Sequence, residues 1–275
     1  MARRPRRSDR RQTYQTTKAY VGIAAVIAVL ATLFGAYYYA VSSNPQLHAR
    51  SMCPLDERKI ASLTVLLVDV TDPMNLPQRQ DFVNQLHSLA DSIPRYGKLV
   101  VTRVDPVGDQ LLQPVIVVCN PGTGADATQW SGNPQKLAEL HRKHFREPLD
   151  SAFETLLEAS GADRSPILES IQSVNLTEFQ RSSGRNIPRH LIVASDLLQH
   201  TDSISLYRQL PSAESLISSP EFSRTRTDLR GVDVELWMLE RADNGRTQPR
   251  ELAELWDAVI RTQNGSVVRL YRISG

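Results

Sequence analysis

The segment Leu63-Thr64-Val65-Leu66-Leu67-Val68-Asp69-Val70-Thr71-Asp72-Pro73 decides the predicted fold. Its first six residues form a continuous run of aliphatic and β-branched side chains, which is typical of a strand buried on both faces of a sheet. Asp69 ends the run, and the Asp72-Pro73 pair indicates a loop after it. Strands of this kind belong to parallel sheets with helices packed on each side.

The rest of the chain alternates between strand and helix patterns. Strands are predicted at 98–104, 114–119, 190–194, 232–239 and 267–273, and helices at 82–93, 134–160, 165–174, 213–218 and 252–260. The short connection after 98–104 predicts a hairpin, so one strand is antiparallel and lies most simply at an edge. The predicted fold class is a doubly wound, mostly parallel α/β sheet over 62–275, with one antiparallel edge strand and one transmembrane helix before it.

An uncharged run upstream of the domain predicts the membrane anchor. Val21 to Val41 holds 21 residues without charge or proline, and a membrane-spanning helix needs about 20. The alternative is a secretory signal peptide, whose apolar region is normally about 7–15 residues long and is followed by a cleavage site. The candidate cleavage site at Ala40-Val41-Ser42 is a poor match, and Cys53 lies too far downstream for a lipoprotein. A retained helix at 19–41 is predicted.

The basic residues around this run predict its orientation. Residues 1–18 hold seven Arg or Lys and one acid, whereas the segment between the run and Cys53 holds only Arg50. Positive charge stays on the cytoplasmic side of a membrane helix. The sequence therefore predicts a cytoplasmic tail at 1–18, a polar linker at 42–61 and a periplasmic or other extracytoplasmic domain on a single-pass protein of the inner membrane.

Charge and cysteine content narrow the choice of partners. The formal net charge is +2, of which the tail contributes +6, so the rest of the chain carries −4. A mildly acidic domain does not favour nucleic-acid binding. The two cysteines, Cys53 and Cys119, form no zinc pattern. They either pair in an oxidising compartment or remain as one buried and one free thiol.

Polar residues at strand ends predict a site. Asp69 and Asp196 each follow an apolar strand, and ligands of such sheets bind at the carboxyl ends of strands where the strand order reverses. Thr71 lies two residues after Asp69. Ser165 stands before Pro166 at a helix start, where serine is expected to cap and proline fits the first helical position. Carboxylate and hydroxyl oxygens suit Mg²⁺ or Mn²⁺.

At these positions the sequence resembles the von Willebrand factor A-like domain. That family carries Asp-x-Ser-x-Ser after its first strand, a threonine at a helix start and an aspartate after its fourth strand. Asp69 and Thr71 match the first two ligands, Ser165 the threonine and Asp196 the late aspartate. The resemblance covers roughly 60–275 and includes the hairpin after the first helix. Pro73 stands at the last ligand position of the first motif and has no side-chain donor oxygen.

The resemblance implies a metal-ion-dependent adhesion site that recognises a protein. Mg²⁺ or Mn²⁺ would be held by Asp69, Thr71, Ser165 and Asp196, and an open metal position would take a carboxylate of the partner. The predicted rim of the site consists of Asp72, His200 and Thr201. Because of Pro73, either water or Asp72 completes the coordination, or the site binds its partner without metal.

The predicted function is a membrane-anchored, extracytoplasmic protein-interaction module that is not an enzyme. One alternative is a metal-free scaffold subunit of a membrane complex. Another is a metal-assisted hydrolase that uses Asp69, Asp72 and Asp196. Ser195 lacks a Gly-x-Ser-x-Gly context, and the histidines on the helix at 134–160 lack His-Glu-x-x-His, so neither motif supports catalysis.

Overall fold

The computed structural model of the chain describes residues 7–42, 45–71, 73–105, 111–127, 133–158, 161–207, 209–241 and 248–274. These residues belong to two units, Met1–Pro45 and Gln46–Gly275. Each unit is described by itself.

The first unit contains one long helix, α1, at Arg7–Ser42. Within it, Tyr20–Tyr39 has a mean hydropathy of 2.0 and is long and apolar enough to cross a membrane. Its side chains are exposed all around the helix, and an apolar helix without a buried face is suited to lipid. Helix α1 begins at Arg7, before the predicted transmembrane segment at 19–41, so part of the basic tail belongs to the same helix.

The second unit is built on one six-stranded sheet. Its strands are β1 Leu63–Val68, β2 Lys98–Arg103, β3 Ile116–Cys119, β4 Arg189–Ser195, β5 Asp233–Leu239 and β6 Ser266–Ile273. Their order is β3-β2-β1-β4-β5-β6. Every neighbouring pair is parallel except β2 with β3. The predicted fold class is confirmed, and the sheet is consistent with a von Willebrand A-like α/β fold.

Helices cover both faces of the sheet. They are α2 Leu76–Ser92, α3 Pro134–His141, α4 Glu147–Glu158, α5 Ile167–Val174, α6 Gln180–Ser182, α7 Ala213–Ile217, α8 Pro220–Thr225 and α9 Arg250–Thr262. A π-helical turn at Arg142–Arg146 joins α3 to α4, two residues before Pro148. A second one at Asn175–Phe179 joins α5 to α6.

The two cores of the domain lie on opposite faces of β1, which is buried at every position. Val65 and Leu67 face the core formed with α5 and α9, whereas Leu66 and Val68 face the core formed with α2 and α4. This division follows from the two-residue alternation of a strand. A strand surrounded in this way gives a rigid base for the loops at its end.

Aromatic packing fixes α2 and α4 against the sheet. The rings of Phe82 and Phe153 stack with centroids 4.6 Å apart, and Trp237 meets Phe82 edge-on at 5.7 Å. A capping box begins α2, in which Asn75 Oδ1 accepts from the Gln78 amide at 2.9 Å and Gln78 Oε1 accepts from the Asn75 amide at 3.2 Å. The loop between β1 and α2 is therefore held at its helical end.

The segment from Gln46 to Ala61, predicted as part of a linker, is bonded to the sheet of the second unit. From Gln46 onward the chain belongs to the second unit. Cys53 forms a disulfide with Cys119 at the end of β3, and the Cys119 amide donates to the Ser51 carbonyl at 2.8 Å. These two bonds attach the segment to β3. Its few apolar side chains do not by themselves predict that it packs against the sheet.

Candidate functional site

The site lies where the strand order reverses, between β1 and β4. These strands are parallel neighbours in which Val68 pairs with Ala194, so the residues that follow them emerge at the same edge. The Asp69 amide donates to the Ala194 carbonyl at 2.8 Å and continues the ladder by one bond. The topology therefore brings Asp69 and Asp196 to one crevice, the position at which such sheets bind ligands.

Asp69 is the centre of a buried hydrogen-bond cluster. Its carboxylate is 3% exposed. Oδ1 accepts from the Thr71 amide at 3.0 Å and from Thr71 Oγ1 at 2.7 Å. Oδ2 accepts from Ser165 Oγ at 2.5 Å and from Ser195 Oγ at 2.9 Å. Four donors satisfy both oxygens of a charge that would otherwise be costly to bury.

Ser165 reaches this cluster from a different part of the chain. Its amide and carbonyl pair with the backbone of His200 at 2.8 and 2.9 Å, which places its hydroxyl against Asp69. The prediction that Ser165 caps a helix with proline at the first position is wrong. Pro166 itself is the N-cap residue of α5 and makes no side-chain cap bond. Gln199 Oε1 accepts from the Leu168 amide at 2.9 Å and serves that end of the helix instead.

Asp196 turns away from Asp69 and binds a different set of groups. Its Oδ1 accepts from the Leu198 amide at 2.9 Å, and its Oδ2 accepts from the Tyr207 hydroxyl at 3.2 Å. The Arg241 guanidinium forms a close ion pair with Oδ2 through Nε and Nη2. Ser195 Oγ lies between the two carboxylates, 2.9 Å from Asp69 Oδ2 and 3.4 Å from Asp196 Oδ1.

Burial and hydrogen bonding have opposite effects on the pKa of Asp196. Burial raises the pKa of the Asp196 carboxyl to about 7, and the charge of Asp69 adds to the rise. Hydrogen bonds from the Leu198 amide and from the Tyr207 and Ser195 hydroxyls act in the other direction because they stabilise the ionised carboxylate. Burial and the charge of Asp196 raise the pKa of Tyr207, so the Tyr207 hydroxyl remains a donor at neutral pH.

Arg241 is held from several sides. Its guanidinium donates through Nη2 to the Tyr207 hydroxyl at 2.7 Å and lies 5.4 Å from the centre of the Tyr207 ring. Gln248 Oε1 accepts from the Arg241 amide at 3.3 Å. Gln248 Nε2 donates to the carbonyls of Asp196 at 2.9 Å and Leu239 at 2.8 Å. The buried amide of Gln248 thereby joins the ends of β4 and β5 beside Arg241.

Local sequence patterns do not identify the residues that face Asp196. Tyr207 and Arg241 lie 11 and 45 residues beyond Asp196 and belong to no motif. The available signal was topological: Arg241 follows the end of β5, and β5 is the parallel neighbour of β4. Residues after the ends of adjacent parallel strands share one edge, so a cation there was a candidate partner for a buried acid.

The predicted rim residues have unequal positions. The imidazole of His200 bonds to Ser205 Oγ through Nδ1 at 2.9 Å and packs against the Tyr207 ring with centroids 5.2 Å apart. Thr201 is 8% exposed, and its hydroxyl accepts from the Ile204 amide at 3.1 Å within its own turn. Asp72 lies outside the described residues.

A cavity of about 290 Å³ opens beside the two carboxylates. It lies between the ends of β1 and β5 and the start of α2. Its lining combines acids, amides and apolar side chains, namely Asp69, Thr71, Pro73, Met74, Asn75, Gln78, Asp196, Leu239, Glu240 and Arg241. A concave surface with a few convergent polar groups on a rigid scaffold is the usual form of a binding site.

The described residues do not fit a divalent cation as they are arranged. Thr71 and Ser165 each contact Asp69, but their hydrogen bonds occupy both of its oxygens. Asp196 Oδ2 already pairs with a cation, Arg241. Among the residues that the structure describes, no group of three or more His, Cys, Asp or Glu side chains could hold a metal. A bound metal would have to displace the guanidinium.

Comparisons with known proteins find similar solved structures, two of which follow, and no sequence family. No protein-family model matches the chain, and no curated protein matches it. An aerotolerance-related membrane protein from Bacteroides fragilis NCTC 9343 is 13% identical with a TM-score of 0.35, over 78% of this chain and 92% of that one. A von Willebrand factor type A protein from Catenulispora acidiphila is 14% identical with a TM-score of 0.34, over 76% of this chain and 38% of that one. These values carry no argument about activity or partners.

Proposed function

We propose that this chain is a membrane-anchored, extracytoplasmic protein-interaction module that recognises its partner at the carboxyl edge of the sheet. The observation that carries the proposal is the cavity of about 290 Å³ beside a polar cluster that is fully hydrogen-bonded and set on buried strands. Loops held on a rigid sheet commonly carry binding specificity. The resemblance to von Willebrand A-like domains points to the same class of function.

The cysteines support an extracytoplasmic position for the domain. The chain contains two cysteines, and they form one disulfide. Such bonds persist in oxidising compartments and are rare in the cytosol. The excess of basic residues before the apolar run agrees with this, because it favours a cytoplasmic N-terminus. The two features are independent and support the same orientation.

The orientation predicts the outcome of limited proteolysis. Protease added to cells whose outer envelope has been opened is expected to digest residues 46–275 and to leave the N-terminal tail protected by the inner membrane. Antibody tags at each end of the chain report the fragments on a gel. Digestion of the tail while the domain survives would show the opposite topology. Detergent treatment is the control, because both ends should then be digested.

Recognition is favoured over catalysis by the way in which the hydroxyls are used. In the part of the chain that the structure describes, Ser165 and Ser195 donate to Asp69, a carboxylate. Both hydroxyls stabilise the buried charge of that carboxylate, whereas histidine is the commonest general base for a serine nucleophile. The imidazole of His200, whose backbone pairs with that of Ser165, bonds to Ser205. We therefore propose no hydrolytic step, and turnover of added phosphoesters would contradict this.

Metal dependence is the point on which two forms of the proposal differ. In one form, Mg²⁺ or Mn²⁺ bound by Asp69, Thr71, Ser165 and Asp196 mediates recognition, as the sequence predicts. In the other, the partner meets the protein groups directly, as in a metal-free scaffold. The ion pair of Asp196 with Arg241 favours the second form. Capture of the partner in the presence and absence of EDTA separates them, because only metal-mediated binding is lost.

Partner capture tests the location of the site. Met74 lines the cavity and is partly buried, so Met74→Glu is expected to reduce capture from solubilised membranes at least tenfold through the cost of burying a charge (about 1.4 kcal/mol per factor of ten). Leu55→Glu is the matched control because Leu55 is 60% exposed and does not line the cavity. Capture is read by crosslinking and mass spectrometry of the tagged full chain. Undiminished capture by Met74→Glu would place recognition elsewhere.

A further inference from the structure

The charged groups beside the cavity are arranged differently from those of the predicted metal-dependent adhesion site. Asp69 and Asp196 are both nearly fully buried, at 3% and 5% exposure. Two buried carboxylates at one edge require positive charge nearby. One of the two carboxylates contacts a cation: Asp196 pairs with Arg241, whose side chain is 25% exposed.

The surroundings of Arg241 are those of a built cation site. A carboxylate, a phenol oxygen and an aromatic face all meet the guanidinium, contributed by Asp196 and Tyr207. The amide of Gln248 holds the Arg241 backbone and the carbonyl of Asp196 together. The contacts come from two connections, one between β4 and α7 and the other between β5 and α9. An incidental surface ion pair does not have such support.

We propose that the Arg241 guanidinium is the resident cation of this edge and that it excludes Mg²⁺ and Mn²⁺ from the oxygens of Asp69, Thr71, Ser165 and Asp196. The Arg241 guanidinium pairs with Oδ2 of Asp196, which makes that oxygen unavailable to a divalent ion. A guanidinium keeps its charge at all physiological pH values and presents several donors in one plane. The wild-type site therefore contains a positively charged group without metal, and its oxygens form a latent divalent site that opens when the guanidinium is removed.

This proposal extends beyond the recognition function, because it concerns the cation of the site and holds whichever partner docks there. Its test consequently measures metal and not capture. If capture fails while the metal result holds, the proposed function is at fault; if the metal result fails while capture remains sensitive to Met74→Glu, the resident cation is at fault.

The experiment is a titration of the detergent-solubilised full chain with Mn²⁺, with free ion counted by electron paramagnetic resonance. Wild type is expected to show no stoichiometric site. Arg241→Met and Arg241→Gln are expected to bind one Mn²⁺ per chain, at least tenfold more tightly than wild type. Arg241→Lys keeps the positive charge and should resemble wild type. Adding Asp196→Asn to Arg241→Met should abolish the new site.

Two results would overturn the proposal. One is stoichiometric Mn²⁺ binding by the wild type with an affinity equal to that of Arg241→Met. The other is an absence of binding in Arg241→Met or Arg241→Gln when circular dichroism shows that the variant is folded. If both neutral variants fail to fold, the wild-type titration decides. Stoichiometric Mn²⁺ binding by the wild type contradicts exclusion by Arg241, and no stoichiometric binding is the predicted result.

Discussion

Asp69→Ala is expected to lower the free energy of unfolding of residues 46–275 by about 3–4 kcal/mol, because four hydrogen-bond donors lose their acceptor in a buried place. The Thr71 amide cannot turn away and becomes an orphan donor. The hydroxyls of Ser165 and Ser195 can rotate but find no second carboxylate of equal quality. The loss is reduced in part because Asp69 also disfavours the ionised form of Asp196.

Urea unfolding followed by circular dichroism measures this effect. Asp69→Asn retains the shape and one acceptor oxygen, so we expect a smaller loss of about 1–2 kcal/mol. Asp202→Ala is the control for removing an acid, because the Asp202 side chain is 88% exposed and pairs at 3.0 Å with Arg164, which is itself 43% exposed. That change should stay within about 0.5 kcal/mol of wild type. Equal effects of Asp69→Ala and Asp202→Ala would refute the central position of Asp69.

Loss of the disulfide is expected to have an effect of similar size. The bond closes a segment with a sequence separation of 66 residues. The chain-entropy argument gives about 4 kcal/mol for a loop of that length, since the bond restricts the unfolded chain. It also attaches the segment after Gln46 to β3, an edge strand of only four residues. Reduction should therefore free this segment and weaken that edge of the sheet.

Urea unfolding with and without reductant tests the disulfide. Cys53→Ala is the preferred variant because Cys119 is fully buried and its replacement would also disturb packing. The variant should match reduced wild type and should not respond to reductant, since these are the two cysteines of the chain. An unchanged midpoint on reduction, with mass spectrometry showing the bond broken, would contradict the prediction. Intact-mass analysis of exported protein reports whether the bond forms in the cell.

Much of the sheet could be predicted because its signals are local. The run from Leu63 to Val68 is apolar at each position but one, and every one of those side chains is buried. The short connection between β2 and β3 likewise predicts their antiparallel pairing, which the structure contains. A predicted helix start is wrong where the capping group comes from a residue that is distant in the sequence. At the start of α5, Gln199 supplies the cap that the sequence assigns to Ser165.

The candidate site could be predicted only in part, since hydrogen-bond partners depend on positions in space. Strand ends and a helix start predict Asp69, Thr71 and Ser165, and both hydroxyls contact the carboxylate of Asp69. Asp196 was selected on the same grounds, but its main partners are Tyr207 and Arg241. Neither partner has a local pattern, so a metal site was the natural interpretation of the acids alone.

The sequence by itself determined the class of sheet, the apolar helix before it and the edge at which polar residues gather. Each of these depends on side-chain periodicity or on the order of elements, which short stretches of chain contain. Only the tertiary structure decided which cation faces Asp196. Asp196 and Arg241 are 45 residues apart and meet because β4 and β5 are parallel neighbours that end at the same edge. The charge of the site therefore depends on which strands are neighbours in the sheet, and no single sequence motif contains that information.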